Sequence, residues 1–196
     1  MESGLLTLNA VTPREAVRIN LPSPFAWPVR AANLKRCLLA EWIPIAGSSR
    51  ELVLVNLHLE AYSSESGRDA QMRLAVDFLN AEYAKGNYCI AGGDFNQNFP
   101  GLDPELFRVK NDDYWAPGAL TQDMLQDGWH FAADIQTPSC RLLNEPYSGS
   151  YENTQLYVID GFILSPNVRL ASVKTLADGF TYSDHHPVSL EVVLDE

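Results

Sequence analysis

The residues of this sequence best suited to chemistry fall in four short motifs. They are Asn56-Leu57-His58-Leu59, Gly92-Gly93-Asp94-Phe95-Asn96, Tyr157-Val158-Ile159-Asp160 and Ser183-Asp184-His185-His186-Pro187. Carboxylates hold a hard divalent cation. Imidazoles and an amide stabilise charge on phosphate oxygens. A further carboxylate orients a histidine or takes a proton from water. Each motif alone has a plainer reading: a hydrogen-bonded histidine at a strand end, an Asx-type turn after a strand, a turn at Asp160-Gly161, a cap at Ser183. The ordered set of four shifts the balance. A buried apolar run that ends in an uncompensated aspartate is costly unless a metal or a partner meets it there.

The elements that must position these residues can be read from periodicity. Leu38 to Ile45 and Glu51 to Leu59 read as strands joined by a turn at Ala46-Gly47-Ser48-Ser49. Asn56 and His58, two apart, share one strand face. Met72, Ala75, Val76, Leu79 and Tyr83 make one helical stripe within Gly67 to Lys85, stopped at Gly86. Tyr88 to Ala91 reads as a short buried strand, with Asp94 and Asn96 just past it. Leu156 to Leu164 reads as a further strand, with Asp160 closing its first part, and Val188 to Leu194 as the last. The proline-rich Leu21 to Pro28 is a loop or wide hairpin between strands. Phe99 to Asn153 is irregular apart from a short helix near Leu120 to Gln126. This order is α/β, and strand ends in such folds collect ligands.

Composition bounds the function. The chain has 196 residues, read as a single domain spanning 1–196, with a net charge of −11. That balance argues against holding nucleic acid on a broad basic surface, so no stable nucleic-acid complex is expected. It leaves anionic substrates open, because a divalent cation can recruit a phosphate. No apolar run is long enough to cross a bilayer, and the first residues lack the features of a signal peptide. Localisation is left open. Cys37, Cys89 and Cys140 form no paired motif, and Cys89 reads as a buried core thiol.

In order and spacing, the four motifs resemble the endonuclease/exonuclease/phosphatase (DNase I-like) superfamily, from Leu34 to the C-terminus. The resemblance implies a four-layer α/β sandwich of two packed sheets with helices outside. It also implies a phosphoric ester hydrolase (EC 3.1 class) that uses Mg²⁺ or Mn²⁺. By resemblance His58 polarises the phosphate, Asp94 orients or deprotonates water, and Asn96 holds a phosphate oxygen. Asp160 pairs with His185, which stabilises the transition state, and Asp184 sits at the metal. Asn56 supports His58, and Arg141 in Thr137-Pro-Ser-Cys-Arg141 touches substrate phosphate.

One departure stands out. The family's metal-binding glutamate follows a glutamine, and no Gln-Glu pair occurs in this sequence. Residues Ser3 to Leu8 resemble the segment after that strand, which implies a domain lacking its N-terminal strands and first helix. A rival reading makes Asn9 and Glu41 a compact replacement for the family's Asn and Glu. Three function classes follow: an active phosphoesterase, a catalytically weak or inactive domain, and a binding module with a degenerate pocket. The substrate class is a phosphate ester (nucleic acid, phospholipid or inositol phosphate), and the expected assembly is a monomer or weak dimer. Tyr62 and Asn153 are candidate rim contacts, His130 reads as structural, and His186 as a turn residue.

Overall fold

The computed structural model describes residues 4–62, 65–103, 105, 107, 114–144, 146–147 and 149–195. Met1 to Ser3 and parts of the Phe99 to Asn153 stretch lie outside the described residues. The strands are β1 (Glu15–Asn20), β2 (Cys37–Pro44), β3 (Glu51–His58), β4 (Tyr88–Asp94), β5 (Gln97–Asn98) and β6 (Gly118–Ala119). They continue with β7 (His130–Ala132), β8 (Cys140–Arg141), β9 (Leu156–Tyr157), β10 (Asp160–Leu164), β11 (Val168–Thr175) and β12 (Val188–Leu194). A helical turn α1 (Val29–Ala32), the helix α2 (Glu65–Tyr83) and a 3₁₀ turn at Gln122–Met124 complete the described elements.

The main sheet runs β1-β2-β3-β4-β10-β7, and β11 pairs with β12 in a second sheet. Only β3 and β4 run parallel in the main sheet, so α2 must cross between them. Its apolar stripe anchors the crossover: Met72, Ala75, Val76 and Leu79 are buried against Val53, Val55, Leu57, Leu38 and Ala40. Each of these side chains larger than alanine contributes roughly 2 kcal/mol of apolar burial. The helix ends as expected, with Gly86 at φ 92° and its amide on the Tyr83 carbonyl at 2.8 Å. The other sheet face packs Ile90, Leu164 and Leu54 on Leu170, Leu190 and Val192 of the second sheet. Helix, sheet, sheet is the mixed, sheet-rich α/β architecture expected. No helix among the described residues is long and apolar enough to cross a membrane.

Three sequence expectations change. The strand from Tyr88 does not stop at Ala91 but continues through Gly92-Gly93 to Asp94. Glycine permits this, because a Cβ at Gly93 would sit 2.0 Å from the Leu57 carbonyl oxygen and one at Gly92 would lie 2.4 Å from the Phe162 ring. The expected single strand Leu156 to Leu164 is two: β9 pairs with β8, and Asp160 opens β10 instead of closing a strand. β10 runs antiparallel to β4, so its start meets the end of β4. The stretch read as irregular also contributes β7, the edge of the main sheet. Three apolar and aromatic residues are too few to show a period.

Candidate active site

One cross-strand row builds the centre of the site. His58 ends β3 opposite Asp94, which ends β4, and Asp94 lies opposite Asp160, which opens β10. Directly opposite residues hold their Cβ atoms about 5 Å apart on one face. Two carboxylates and an imidazole are therefore forced together by register alone. His58 Nε2 lies 3.3 Å from Asp94 Oδ2. The other Asp94 oxygen, Oδ1, accepts the Asn96 amide at 2.8 Å, a tight turn that places Asn96 at φ 51°.

His185 arrives from the other side, on the loop before β12. Its backbone bridges to Cys140, the Arg141 amide donates to the Asp184 carbonyl at 2.9 Å, and the His186 amide donates to the Ser139 carbonyl at 2.8 Å. The imidazole Nδ1 donates to Asp160 Oδ2 at 2.9 Å, and Nε2 lies 4.0 Å from Asp94 Oδ2. Ser139, fully buried, fixes the carboxylate: its hydroxyl donates to Asp160 Oδ2 at 2.7 Å and accepts the amides of Ile159 and Asp160 at 3.0 and 3.1 Å. The hydroxyl thus has its full complement of partners.

The charges are sharply sorted. Burial pushes Asp94 up to about 7, aided by the negative Asp160 and resisted by His185 and the Asn96 amide. Burial pulls His58 down to about 4, together with the positive charges of Arg36 and His185. Burial opposes a charge on His185 as well, but its hydrogen bond to Asp160 and contact with Cys140 outweigh this and raise it to about 11. The site at neutral pH holds one imidazolium, one neutral imidazole and an aspartate poised near neutrality. Such a carboxyl is suited to general base work.

The predicted residues do not all converge. Asp94, Asp160 and His185 present ligand atoms within 4.8 Å of one another, the one such group among the described residues. The Asp184 side chain is outside that group and its Oδ1 faces the Ser183 hydroxyl at 3.5 Å. The Asn96 amide group donates to the Leu59 carbonyl at 3.0 Å and is buried. Asn56 lies on the His58 face but donates to the Leu6 carbonyl at 3.0 Å. Arg141 stacks over the Tyr147 ring, 5.1 Å from its centroid, while its backbone holds the Asp184 loop.

The rival pair separates from the site. Asn9 does donate to Glu41, at 2.7 Å. Glu41, however, lies opposite Leu54, four residues before His58, or about 13 Å along the strand. Tyr62 and Asn153 are exposed, and His130 is a β7 residue opposite Leu164. His186 is no simple turn residue. It is buried and stacked on Phe180 at 3.7 Å; its Nδ1 donates to the Pro138 carbonyl at 2.8 Å and its Nε2 accepts the Phe180 amide at 3.1 Å. This pins the loop that presents His185.

Three neighbours of the site carry no sequence signal of their own. Ser139 and Cys140, whose Sγ lies 3.4 Å from His185 Nε2, sit in a segment notable only for Arg141. Arg36, with a side chain only 10% exposed, acts electrostatically on both His58 and Asp94. A basic residue at a strand entry is too common to single out.

No protein-family model matches the sequence, and no curated protein matches it. Solved structures do. An endonuclease/exonuclease/phosphatase from Beutenbergia cavernae aligns with a TM-score of 0.61 and 19% identity, covering 92% of this chain and 45% of that one. The mannosyl-6-phosphatase Bt3783 of Bacteroides thetaiotaomicron aligns at 0.56 and 17%, covering 93% of this chain and 67% of that one. D. rerio TDP2, solved with a single-strand DNA product, aligns at 0.57 and 19%, covering 91% and 67%. The chain thus has the fold of endonuclease/exonuclease/phosphatase structures, over the 45–67% of their length that it spans.

Proposed function

We propose that this chain belongs to the endonuclease/exonuclease/phosphatase superfamily and forms the phosphate-handling side of a divalent-metal-dependent phosphoric ester hydrolase. The observation that carries this reading is the His58–Asp94–Asp160 row closed by His185. Asp94, near neutral in pKa, takes the proton of an attacking water. His58 contacts the phosphate, Asn96 braces Asp94 through its backbone amide, and His185, held cationic by Asp160, neutralises charge that develops on the phosphate oxygens. Asn56 supports the His58 strand end, and Arg141, whose backbone amide holds the Asp184 carbonyl, meets the substrate phosphate in this reading.

The donor set fits a hard cation in part. Asp94 and Asp160 offer carboxylate oxygens that lie, with a His185 ring nitrogen, within 4.8 Å of one another, and Asp184 is the residue before His185. Mg²⁺ or Mn²⁺ bound there would supply Lewis-acid polarisation of the phosphate. The test is hydrolysis of bis(p-nitrophenyl) phosphate with Mg²⁺ or Mn²⁺. Asp94→Ala and His185→Ala are expected to lose at least about a hundredfold in rate. Equal rates in all three proteins would refute the reading.

A second reading, a catalytically weak domain, has its own observation. The protonated His185 already supplies positive charge at the donor group, and Asp160 Oδ2 already accepts two hydrogen bonds. Both compete with a cation. Calorimetric titration with Mn²⁺ decides: tight stoichiometric binding would contradict weak metal affinity.

A further inference from the structure

Beside His58 the main sheet carries a cavity of about 470 Å³, a size that suits a small ligand. Arg18, Lys35 and Arg36 line it, together with Leu34 and Leu39. None of its lining residues is a carboxylate, in a chain with 25 acidic residues and 14 lysines and arginines. Neither Arg18 nor Lys35 makes an ion pair among the described residues; Arg18 donates only to the neighbouring Asn20 side chain. The Arg36 side chain is nine-tenths buried, yet its Nε makes no hydrogen bond, and the nearest carboxylate, on Glu60, is 3.7 Å away. That distance is too long for a hydrogen bond. It is an ion-pair distance, however, so Arg36 keeps Glu60 as its partner, and an anion in the cavity would instead pair with the exposed Arg18 and Lys35.

The register ties this cavity to the chemistry. Arg18 on β1 lies opposite Leu39 on β2, and Leu39 lies opposite Asn56 on β3. Directly opposite residues share a face, so Arg18 and Leu39 stand on the face that carries Asn56 and His58. Two strand spacings, about 10 Å, separate Arg18 from the His58 strand. A ligand filling the cavity therefore reaches the catalytic row within the span of one small molecule.

We propose that this cavity is a second anion subsite, and that the substrate is a small phosphate ester carrying a second phosphate group. The inference rests on the hydrolase reading for which phosphate is cleaved, but the subsite itself rests on the cavity. Lys35 grips the second phosphate at the mouth of β2, and Arg18 closes on it from β1. Leu34 and Leu39 pack on the carbon skeleton between the two phosphates. The overall charge of −11 disfavours a long polyanion, which would meet repulsion beyond the cavity.

The test is calorimetric titration of the folded chain with pyrophosphate and, separately, with orthophosphate at physiological salt. The double variant Arg18→Ala/Lys35→Ala changes only exposed side chains, and its fold is checked by circular dichroism. Its pyrophosphate affinity is expected to fall about tenfold, with a smaller loss for orthophosphate. Lys174→Ala, an exposed cation on β11, is expected to bind pyrophosphate as wild type does. The proposal is overturned if wild type shows no preference for pyrophosphate, if the double variant binds it unchanged, or if Lys174→Ala loses as much. Phosphatidylcholine vesicles containing phosphatidic acid form a second arm. Vesicle binding lost in the double variant assigns the ligand to a lipid headgroup, and its absence beside pyrophosphate binding assigns a soluble ligand. If Asp94→Ala leaves hydrolysis unchanged while the pyrophosphate result holds, the hydrolase reading fails and the subsite stands.

Discussion

Replacing Asp94 by asparagine is expected to stabilise the protein at pH 8 and to do so far less at pH 5. The amide keeps the size of the side chain, and its oxygen can still accept the Asn96 amide, now at 2.8 Å. What it removes is a charge that burial and Asp160 both oppose, which is why the acid rises from 3.8 to about 7. An acid whose folded pKa is raised binds its proton more tightly when folded. Its ionisation adds no penalty below pH 3.8, an increasing one between 3.8 and 7, and a constant one above 7. At about 1.4 kcal/mol per unit, the wild-type penalty reaches about 4 kcal/mol at pH 8 and under about 2 kcal/mol at pH 5. The side chain is only 13% exposed, so water screens little of it. The expected gain for Asp94→Asn is thus about 2–4 kcal/mol at pH 8. Urea unfolding at the two pH values, with a chelator present, measures it. A variant no more stable than wild type at pH 8, or one with an equal gain at both pH values, would refute the electrostatic account of the site.

Other outcomes follow from the same geometry. Ser139→Ala strips a buried acceptor from two backbone amides and a donor from Asp160, so a loss of about 2–4 kcal/mol in urea unfolding is expected, with a lower kcat. Gly93→Ala would drive a Cβ to 2.0 Å from the Leu57 carbonyl, at φ +141°, and is expected to cost more than about 3 kcal/mol or to abolish folding; Gly86→Ala, with open space around it, is expected to cost about 1 kcal/mol. If Asp94 is the base, the rate should rise with pH through about 7. Asp160→Asn removes the negative neighbour and should move that limb to lower pH in a pH–rate profile, even as the rate falls. His58, held near 4, is buried uncharged and favours the folded state above its ordinary value of 6.5, a contribution lost as pH falls toward 4; His58→Gln should therefore flatten the acid side of a melting-temperature profile.

Much of the site is legible in the sequence, because its chemistry is carried by residue types that cost free energy at strand ends. The α2 stripe and the last strand stand where the periods put them, and His185 and Asp160, which only the family resemblance paired, lie 2.9 Å apart. Boundaries are less legible where two glycines end an apolar run. Glycine reads as a stop, yet Gly92 and Gly93 are strand residues that let Phe162 and the β3 backbone approach closely. Local pattern cannot report such a neighbour.

What the sequence by itself determined is the inventory: an α/β chain, acidic overall, with three imidazoles and three carboxylates in four ordered motifs. What only the tertiary structure decided is the pairing. The register sets His58, Asp94 and Asp160 in one row and leaves Glu41 about 13 Å down the sheet, although Asn9 and Glu41 do bond to each other. It also decided that Ser139 would lock Asp160, that His186 would pin its loop, and that three cations would line one cavity. These depend on contacts between residues far apart in the chain, and hydrogen bonding and charge act through distance in space, which no short window of sequence encodes.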